Sequence, residues 1–292
     1  MKNFEYAAPT SMAEATALLA RANGTARVLA GGTDLLVQLR ENLREAALVV
    51  DIKRIPELSE IGYSQRGELQ LGASVPCYRV YEDEKLSAAY SALADATRIV
   101  GGWQIQSRAS VGGNLCNSSP AGDTIPALIA LRAKCVIAGA SGTREIPVEE
   151  FCTAPGKNVL QRGEILVRLV FPAAAPLSGS AYERFIPRNE MDIAVVGAAS
   201  WIQLDAAGKT ITDARIGLAA VAPTPKFAAE ASQWLRGKPA TEVTFDQAGE
   251  LAKKVATPIR DMRGTPEFRL HLVGVLTRRT LAKACQRAQQ GK

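Results

Sequence analysis

The Gly31-Gly32 pair constrains the fold of this chain more than any other sequence feature. Residues 27–30 before it predict a short strand, and Thr33 after it predicts the cap of a helix whose leucines lie on one side. Residues 48–52 predict a second strand that is apolar on both faces, which is typical of a buried sheet. The stretch is therefore β–loop–α–β, with a loop whose backbone shape favours glycine.

Strand and helix signals continue up to a break at residues 172–179 that is rich in Pro and small residues. Before the break, the patterns predict a helix that opens with a capping box at Ser11–Glu14, a hairpin over 58–73 and helical character over 79–100. They also predict a helix over 124–131, a hairpin around Ser141-Gly142 and a strand over 164–171. Beyond it, they predict strands over 182–186, 193–204 and 210–221, a turn at 205–208, and helices near 226–236, 244–256 and 265–289. We expect an α+β protein, with an α/β domain over 1–175 and a smaller domain of antiparallel sheet and helices over 179–289.

The charge balance argues against nucleic-acid binding. The 292 residues include 35 Lys+Arg against 29 Asp+Glu, a net charge of +6, and only 5% are aromatic. Neither interleaved aromatics nor a recognised nucleic-acid motif is present. The excess charge belongs to the C-terminal helix, where it complements the helix dipole or faces a partner subunit. From Phe268 onward the basic residues are Arg269, Arg278, Arg279, Lys283, Arg287 and Lys292, with no acidic residue among them.

Histidine and cysteine content limits the metal chemistry. The single histidine, His271, excludes multi-histidine metal sites and two-histidine catalysis. The five cysteines, at 77, 116, 135, 152 and 285, contain no C-x-x-C pair, which argues against a disulfide framework and against zinc or iron–sulfur ligation. This usage favours a reducing compartment. The N-terminus has no apolar signal segment, and the longest apolar run, 193–202, falls short of the roughly 20 residues that span a membrane. We therefore expect a cytoplasmic protein without a membrane span.

Two segments, Leu29–Leu36 and Ala109–Cys116, each contain a Gly-Gly turn bounded by apolar residues. A turn that leads into a helix offers several N–H groups and the positive end of the helix dipole to an anion. One such loop suits a phosphate, and two can hold a diphosphate from both sides. Two tight turns of an α/β sheet are an equally good interpretation, since neither segment has the G-x-G-x-x-G or P-loop pattern.

Polar residues further along the chain add to this candidate site. Asp123 is placed either to accept a hydrogen bond from a ribityl or ribose hydroxyl or to cap the helix that begins near Thr124. Arg184 or Arg188, in the charged segment 182–194, can face an electron-rich ring or a phosphate, or belong to a surface salt-bridge cluster.

We assign no catalytic residue and no metal ligand. His271 has no partner in the sequence and is interpreted as a residue on a helix face. Cys116 is the one cysteine in a candidate site, and because a general base is missing we interpret it as a small apolar residue beside the ligand.

Taken together, these motifs identify a resemblance that covers essentially the whole chain. The motifs that carry it are Ala30–Leu35, Ala109–Asn114, Ser119-Pro120, Asp123, Met191–Ala194, Asp261–Arg269 and Gly274–Arg279. With them, the sequence resembles the FAD-binding (medium) subunit of the molybdenum hydroxylases, a group that includes the carbon-monoxide dehydrogenase flavoprotein and the FAD module of xanthine dehydrogenase.

The resemblance implies a two-part FAD-binding domain of the vanillyl-alcohol-oxidase (PCMH) type, followed by the C-terminal domain of the carbon-monoxide dehydrogenase flavoprotein. The two Gly-Gly loops would hold the FAD diphosphate, Asp123 would contact the cofactor, Arg184 would lie near the flavin ring, and Val100, Ile165 and Leu166 occupy flavin-contact positions. The implied FAD-binding residues are Leu29, Ala30, Gly31, Gly32, Thr33, Asp34, Leu35, Val100, Ala109, Ser110, Val111, Gly112, Gly113, Asn114, Asp123, Ile165, Leu166 and Arg184.

The resemblance also implies a function and partners. The chain would take electrons from the [2Fe–2S] clusters of a small iron–sulfur subunit and pass them through FAD to NAD⁺, a quinone, another carrier or O₂. A large subunit would carry the molybdenum cofactor, and the complex would be a dimer of heterotrimers. Because its cysteines are scattered, this chain itself is expected to hold no cluster. The alternatives are a self-contained FAD oxidase or dehydrogenase, which would need a positioned base, and a structural subunit without cofactor.

Overall fold

The structure is a computed structural model that describes residues 1–140, 142–188 and 190–290. Ser141 of the predicted turn, Asn189 of the charged segment and Lys292 of the basic terminus lie outside the described residues.

The N-terminal part is built on a three-stranded parallel sheet. Its strands lie in the order β1 (Glu5–Ala7), β3 (Leu48–Asp51) and β2 (Ala26–Leu29), so that the carboxyl ends of β2 and β3 lie side by side at one edge. Ser11 caps the first helix as predicted, although the Glu14 carboxylate accepts from the amide of Thr10 rather than from that of Ser11. The helices of this part are α1 (Met12–Arg21), between β1 and β2, and α2 (Leu35–Arg40), between β2 and β3.

A five-stranded antiparallel sheet follows, in the order β4-β5-β10-β6-β7. The predicted hairpins over 58–73 and around residue 142 form its two outer strand pairs. Its strands are β4 (Ile61–Tyr63), β5 (Leu69–Gly72), β6 (Lys134–Gly139), β7 (Gly142–Pro147) and β10 (Ile165–Phe171), while the short β8 (Cys152–Ala154) and β9 (Lys157–Asn158) pair with each other.

Several short helices connect β5 to β6. The helical character predicted over 79–100 is confirmed up to residue 97, divided among three short helices. Asp83 ends the first helix and caps the second with its carboxylate, and Tyr90 leaves helical geometry before the third begins. Asp83 favours the cap because its side chain accepts from the amide of Leu86, at 2.9 Å. The helices are α3 (Cys77–Glu82), α4 (Glu84–Ala89), α5 (Ser91–Thr97), α6 (Trp103–Gln106), α7 (Val111–Asn117) and α8 (Thr124–Ala130).

The C-terminal part is a four-stranded antiparallel sheet, in the order β11-β12-β13-β14, covered by helices. The predicted strands and the turn at 205–208 are present, whereas the helix predicted over 226–236 is shortened because its first residues form an edge strand. The elements are β11 (Ser178–Phe185), β12 (Val196–Leu204), β13 (Ile211–Ala219), β14 (Lys226–Phe227), α9 (Ala229–Trp234), α10 (Glu242–Ala252) and α11 (Pro266–Gln290).

The two parts are joined by apolar packing and by ion pairs. Tyr182 of the second part packs into the core of the first. Arg287 in the last turn of α11 pairs with Asp95 of α5 at 2.6 Å and also donates to the carbonyl of Ser180. At least part of the basic character of α11 is therefore neutralised within the chain. In the part of the chain that the structure describes, no helix is both long and apolar enough to cross a membrane.

Candidate cofactor site

The first Gly-Gly pair leaves the sheet at the carboxyl end of β2. Gly32 adopts a φ of +82°, a conformation that favours glycine. A Cβ added to Gly31 would lie 2.2 Å from the carbonyl oxygen of Arg108, so this loop is pressed against the backbone that leads to the second pair. Helix α2 then begins at Leu35 with Asp34 as its N-cap, not Thr33 as predicted, and the Asp34 side chain makes no capping hydrogen bond.

The second Gly-Gly pair lies inside the first turn of α7, so its interpretation as a turn is wrong. Ser110 caps this helix, and its hydroxyl accepts from the amide of Gly113 at 3.0 Å. A Cβ on Gly112 would lie 2.5 Å from the carbonyl oxygen of Ala73, so this glycine permits close packing. A Cβ on Gly113 would lie 2.9 Å from the Ser110 hydroxyl, and its next neighbour would be the Ala30 side chain at 4.0 Å. Gly113 thus leaves space toward the first loop.

The two segments line the same cavity, of about 540 Å³. This volume is typical of a cofactor or small-molecule site. Leu29 and Val111 are instead buried in the apolar cores below the loops. The other implied residues all line the cavity: Ala30, Gly31, Gly32, Thr33, Asp34, Leu35, Val100, Ala109, Ser110, Gly112, Gly113, Asn114, Asp123, Ile165, Leu166 and Arg184.

Asp123 contacts residues of the C-terminal sheet. Its carboxylate accepts from the Tyr182 hydroxyl at 2.8 Å and from Arg184 Nη1 at 2.5 Å, and both partners are buried. Asp123 occupies the N-cap position of α8, as the capping alternative predicted, but its side chain makes no capping hydrogen bond. The Asn114 side chain does that instead, accepting from the amide and hydroxyl of Thr124 at 3.3 and 2.8 Å. Burial raises the pKa of Asp123 to about 6, against the opposing effects of Arg184 and Tyr182.

The cavity is also lined by residues that were not predicted from the sequence. Met191–Ala194 line it, and although this motif contributed to the resemblance it was not assigned to the site. Arg27 lines it too, and its buried Nε has no hydrogen-bond partner among the described residues. Nothing in the sequence around Arg27 marks it, since it lies within β2 and contacts the site only through the packing of the folded chain. Arg188 is not among the lining residues and pairs at 3.7 Å with Asp192.

The remaining candidates have no catalytic geometry. Cys116 lines the cavity, but burial raises the pKa of its thiol to about 12, so the thiol stays protonated at neutral pH. His271 is exposed on α11 and does not line the cavity. Among the described residues, no group of His, Cys, Asp and Glu side chains is arranged to hold a metal ion.

This site is of the class that binds a nucleotide-type cofactor. Glycine-rich backbone on two sides, the space in front of Gly113 and the unpartnered Arg27 Nε suit a ligand with phosphates. Val100, Ile165 and Leu166 provide apolar surface for a ring system.

Comparison with known proteins identifies the family. Residues 2–174 match the family described as the FAD binding domain in molybdopterin dehydrogenase, and residues 180–284 match the CO dehydrogenase flavoprotein C-terminal domain. The chain therefore belongs to the FAD-binding subunits of the molybdopterin dehydrogenases. It is an oxidoreductase subunit, and FAD is its cofactor.

Individual relatives match over nearly the whole length. The putative xanthine dehydrogenase FAD-binding subunit of Escherichia coli K12 is 32% identical over 96% of this chain and 95% of its own. The carbon monoxide dehydrogenase of Hydrogenophaga pseudoflava has a TM-score of 0.93 at 30% identity, covering 98% of both chains. Quinoline 2-oxidoreductase from Pseudomonas putida 86 has a TM-score of 0.90 at 31% identity, covering 99% of both. These values confirm the expected family and the α+β fold.

Proposed function

We propose that this chain is the electron-transfer subunit of a molybdenum-containing hydroxylase or dehydrogenase complex. It would take electrons from iron–sulfur clusters of a partner subunit and pass them to NAD⁺, a quinone, another redox carrier or O₂. The observation that carries the proposal is the cavity between the two Gly-Gly segments, in a chain whose relatives are named as FAD-binding subunits and medium chains.

We assign the binding roles as follows. The backbone of Ala30–Asp34 and of Ser110–Asn114 would hold the diphosphate, with Gly113 leaving the necessary room. Asp123, fixed by its two partners, would accept a hydrogen bond from a cofactor hydroxyl. Arg184 would face the flavin ring beside the apolar surface of Val100, Ile165 and Leu166. When bound, FAD accepts and donates electrons singly or in pairs, and the protein supplies position and electrostatics.

The alternative is a self-contained FAD enzyme acting on its own organic substrate. Such an enzyme needs a positioned base over the flavin. Asp123 is held by Arg184 and Tyr182, and Cys116 stays protonated. The arrangement of these side chains favours electron transfer.

The complex that we propose is a dimer of heterotrimers. A large subunit would carry the molybdenum cofactor and a small one the [2Fe–2S] clusters, as the family resemblance implies. We place it in the cytoplasm, because the five cysteines are all unpaired in the described chain. We further propose domain limits of 1–175 and 179–289, which agree with the family matches to 2–174 and 180–284.

An absorption spectrum of the purified chain and of co-purifying material tests the proposal. A released FAD-type chromophore together with iron and molybdenum supports the complex. Flavin with turnover of an organic substrate by the chain alone would favour the self-contained enzyme. The variant Gly32→Val should lose FAD, because a β-branched residue is strained at a φ of +82°. Full retention of FAD in Gly32→Val would mean that this loop does not hold the diphosphate.

A further inference from the structure

A polar cluster around the buried residue Asp51 lies behind the first Gly-Gly loop, outside the cavity. Asp51, at the carboxyl end of β3, has a side chain that is 11% exposed. It accepts from the Tyr6 hydroxyl at 2.7 Å, from Lys53 Nζ at 2.7 Å and from the Lys53 amide at 3.0 Å. Its hydrogen bonds with Lys53 and Tyr6 outweigh burial and lower the pKa of Asp51, so the carboxylate remains charged at neutral pH.

Lys53 connects this cluster to the loop. Its Nζ also donates to the carbonyl oxygen of Ala30 at 3.0 Å. The parallel ladder reaches its end one residue earlier, where the amide of Ile52 donates to the carbonyl of Leu29. In the described chain, the Ala30 carbonyl has Lys53 as its one hydrogen-bond donor. Ala30 is the first cavity-lining residue of the loop, whereas Lys53 does not line the cavity.

The loop is therefore fixed on two sides. Gly31 is pressed against the carbonyl of Arg108, as described above, and Lys53 holds the peptide that links Ala30 to Gly31. The carbonyl of that peptide and the N–H of Gly31 belong to one rigid plane, so that holding the oxygen fixes the direction of the N–H. A cation on the carbonyl side also polarises the same peptide, which strengthens its N–H as a donor.

We propose that Lys53 is a positioning residue that orients the first Gly-Gly loop for the cofactor diphosphate, acting through the Ala30 carbonyl and held in place by Asp51 and Tyr6. The inference rests on the proposed assignment of this loop to the diphosphate. Lys53 itself is placed behind the loop and does not contact the ligand.

The full chain, stripped of flavin and titrated with FAD by flavin fluorescence, provides the test. We expect Lys53→Met to raise the FAD dissociation constant about tenfold, since it removes one charge-assisted hydrogen bond from the site. Lys53→Arg retains a cationic donor and should recover most of the affinity. Tyr6→Phe leaves Asp51 two of its three hydrogen bonds and should have the smallest effect.

Arg215→Met is the matched control. Arg215 likewise bridges a carboxylate and a backbone carbonyl, those of Glu149 and Ile129, at 2.8 and 2.9 Å, but does not line the cofactor cavity. If Lys53→Met and Arg215→Met shift the urea midpoint of the flavin-free chain alike, and only Lys53→Met weakens FAD binding, the proposal holds.

Two outcomes contradict it. Unchanged FAD affinity in Lys53→Met would overturn the positioning role, and so would equal losses of affinity in Lys53→Met and Arg215→Met. If the first Gly-Gly loop does not hold the diphosphate, Gly32→Val will retain FAD. The two variants therefore distinguish a wrong assignment of the loop, tested by Gly32→Val, from a wrong role for Lys53, tested by Lys53→Met.

Discussion

The two Gly-Gly pairs have the same sequence but differ in backbone conformation and in the atoms that lie next to them. The first is a true loop, in which Gly32 needs a positive φ and Gly31 needs to lie against another backbone. The second is helical, so Gly112 serves packing against Ala73 and Gly113 keeps space free in front of the cavity. A Gly-Gly pair therefore predicts that another group lies close to the backbone at that position. It does not predict whether this group belongs to the protein itself or to a ligand.

The largest expected effect concerns the glycines that face protein backbone. Gly31→Ala and Gly112→Ala each place a Cβ within 2.5 Å of a carbonyl oxygen that cannot move independently. We expect each to lower the free energy of unfolding by about 3 kcal/mol, which urea denaturation of the flavin-free chain measures. A loss below about 1 kcal/mol in either would show that the backbones separate easily at that position.

The next effect concerns the glycine that faces the cavity. Gly113→Val should cost about 1 kcal/mol of unfolding free energy, because the added Cβ meets only the Ser110 hydroxyl closely and displaces it from its capping position. We expect FAD affinity to fall about thirtyfold, or about 2 kcal/mol, by loss of space for the ligand. Fluorescence titration against wild type measures this. An unchanged FAD affinity in Gly113→Val would show that Gly113 is not part of the diphosphate site. Gly113 would then not differ in function from Gly112.

The next prediction is a pH dependence of the free energy of unfolding that comes from Asp123 and is similar in size. The pKa of Asp123 is about 6 in the folded chain against an ordinary value of 3.8, so between these pH values the folded state binds a proton that the unfolded state has lost. The Asp123 contribution to the free energy of unfolding therefore falls as pH rises through this window, by about 3 kcal/mol in total, and is constant above it.

The control for this pH effect is Asp123→Asn, which cannot titrate. Urea unfolding of the flavin-free wild type and variant at several pH values between 4 and 7 gives the difference in stability. That difference should shift in favour of the variant as pH rises. A pH-independent difference would show that Arg184 and Tyr182 keep the carboxyl ionised throughout.

The smallest expected effect concerns the N-cap residues of α7 and α2, which are Ser110 and Asp34. Ser110→Ala removes the hydrogen bond to the Gly113 amide and should cost about 1 kcal/mol of unfolding free energy. Asp34→Ala, at the matching position of α2, should change it by less than about 0.5 kcal/mol, because Asp34 makes no capping bond. Thermal or urea unfolding of both variants measures the contrast. Equal losses would mean that Asp34 caps its helix in solution.

Local chemistry made much of the molecule predictable. The hairpins of the second sheet, the long strands after residue 178 and the Ser11 cap follow from short-range patterns that tertiary contacts do not reverse. The helical character of 79–100 was predicted correctly, but apolar periodicity does not show the breaks at Asp83 and Tyr90 that divide the segment into three helices.

The sequence by itself determined the family, because the motifs that carry the resemblance are short and follow one another in a fixed order along the chain. It also determined the two glycine pairs and the presence of Asp123 shortly after the second of them. Only the tertiary structure decided the rest of the site. It brought Tyr182 and Arg184 from a separate sheet onto Asp123, gave the capping role to Asn114, and set Lys53 behind Ala30. These contacts join residues that lie on different elements, and the geometry that selects among possible partners arises only when the sheets pack.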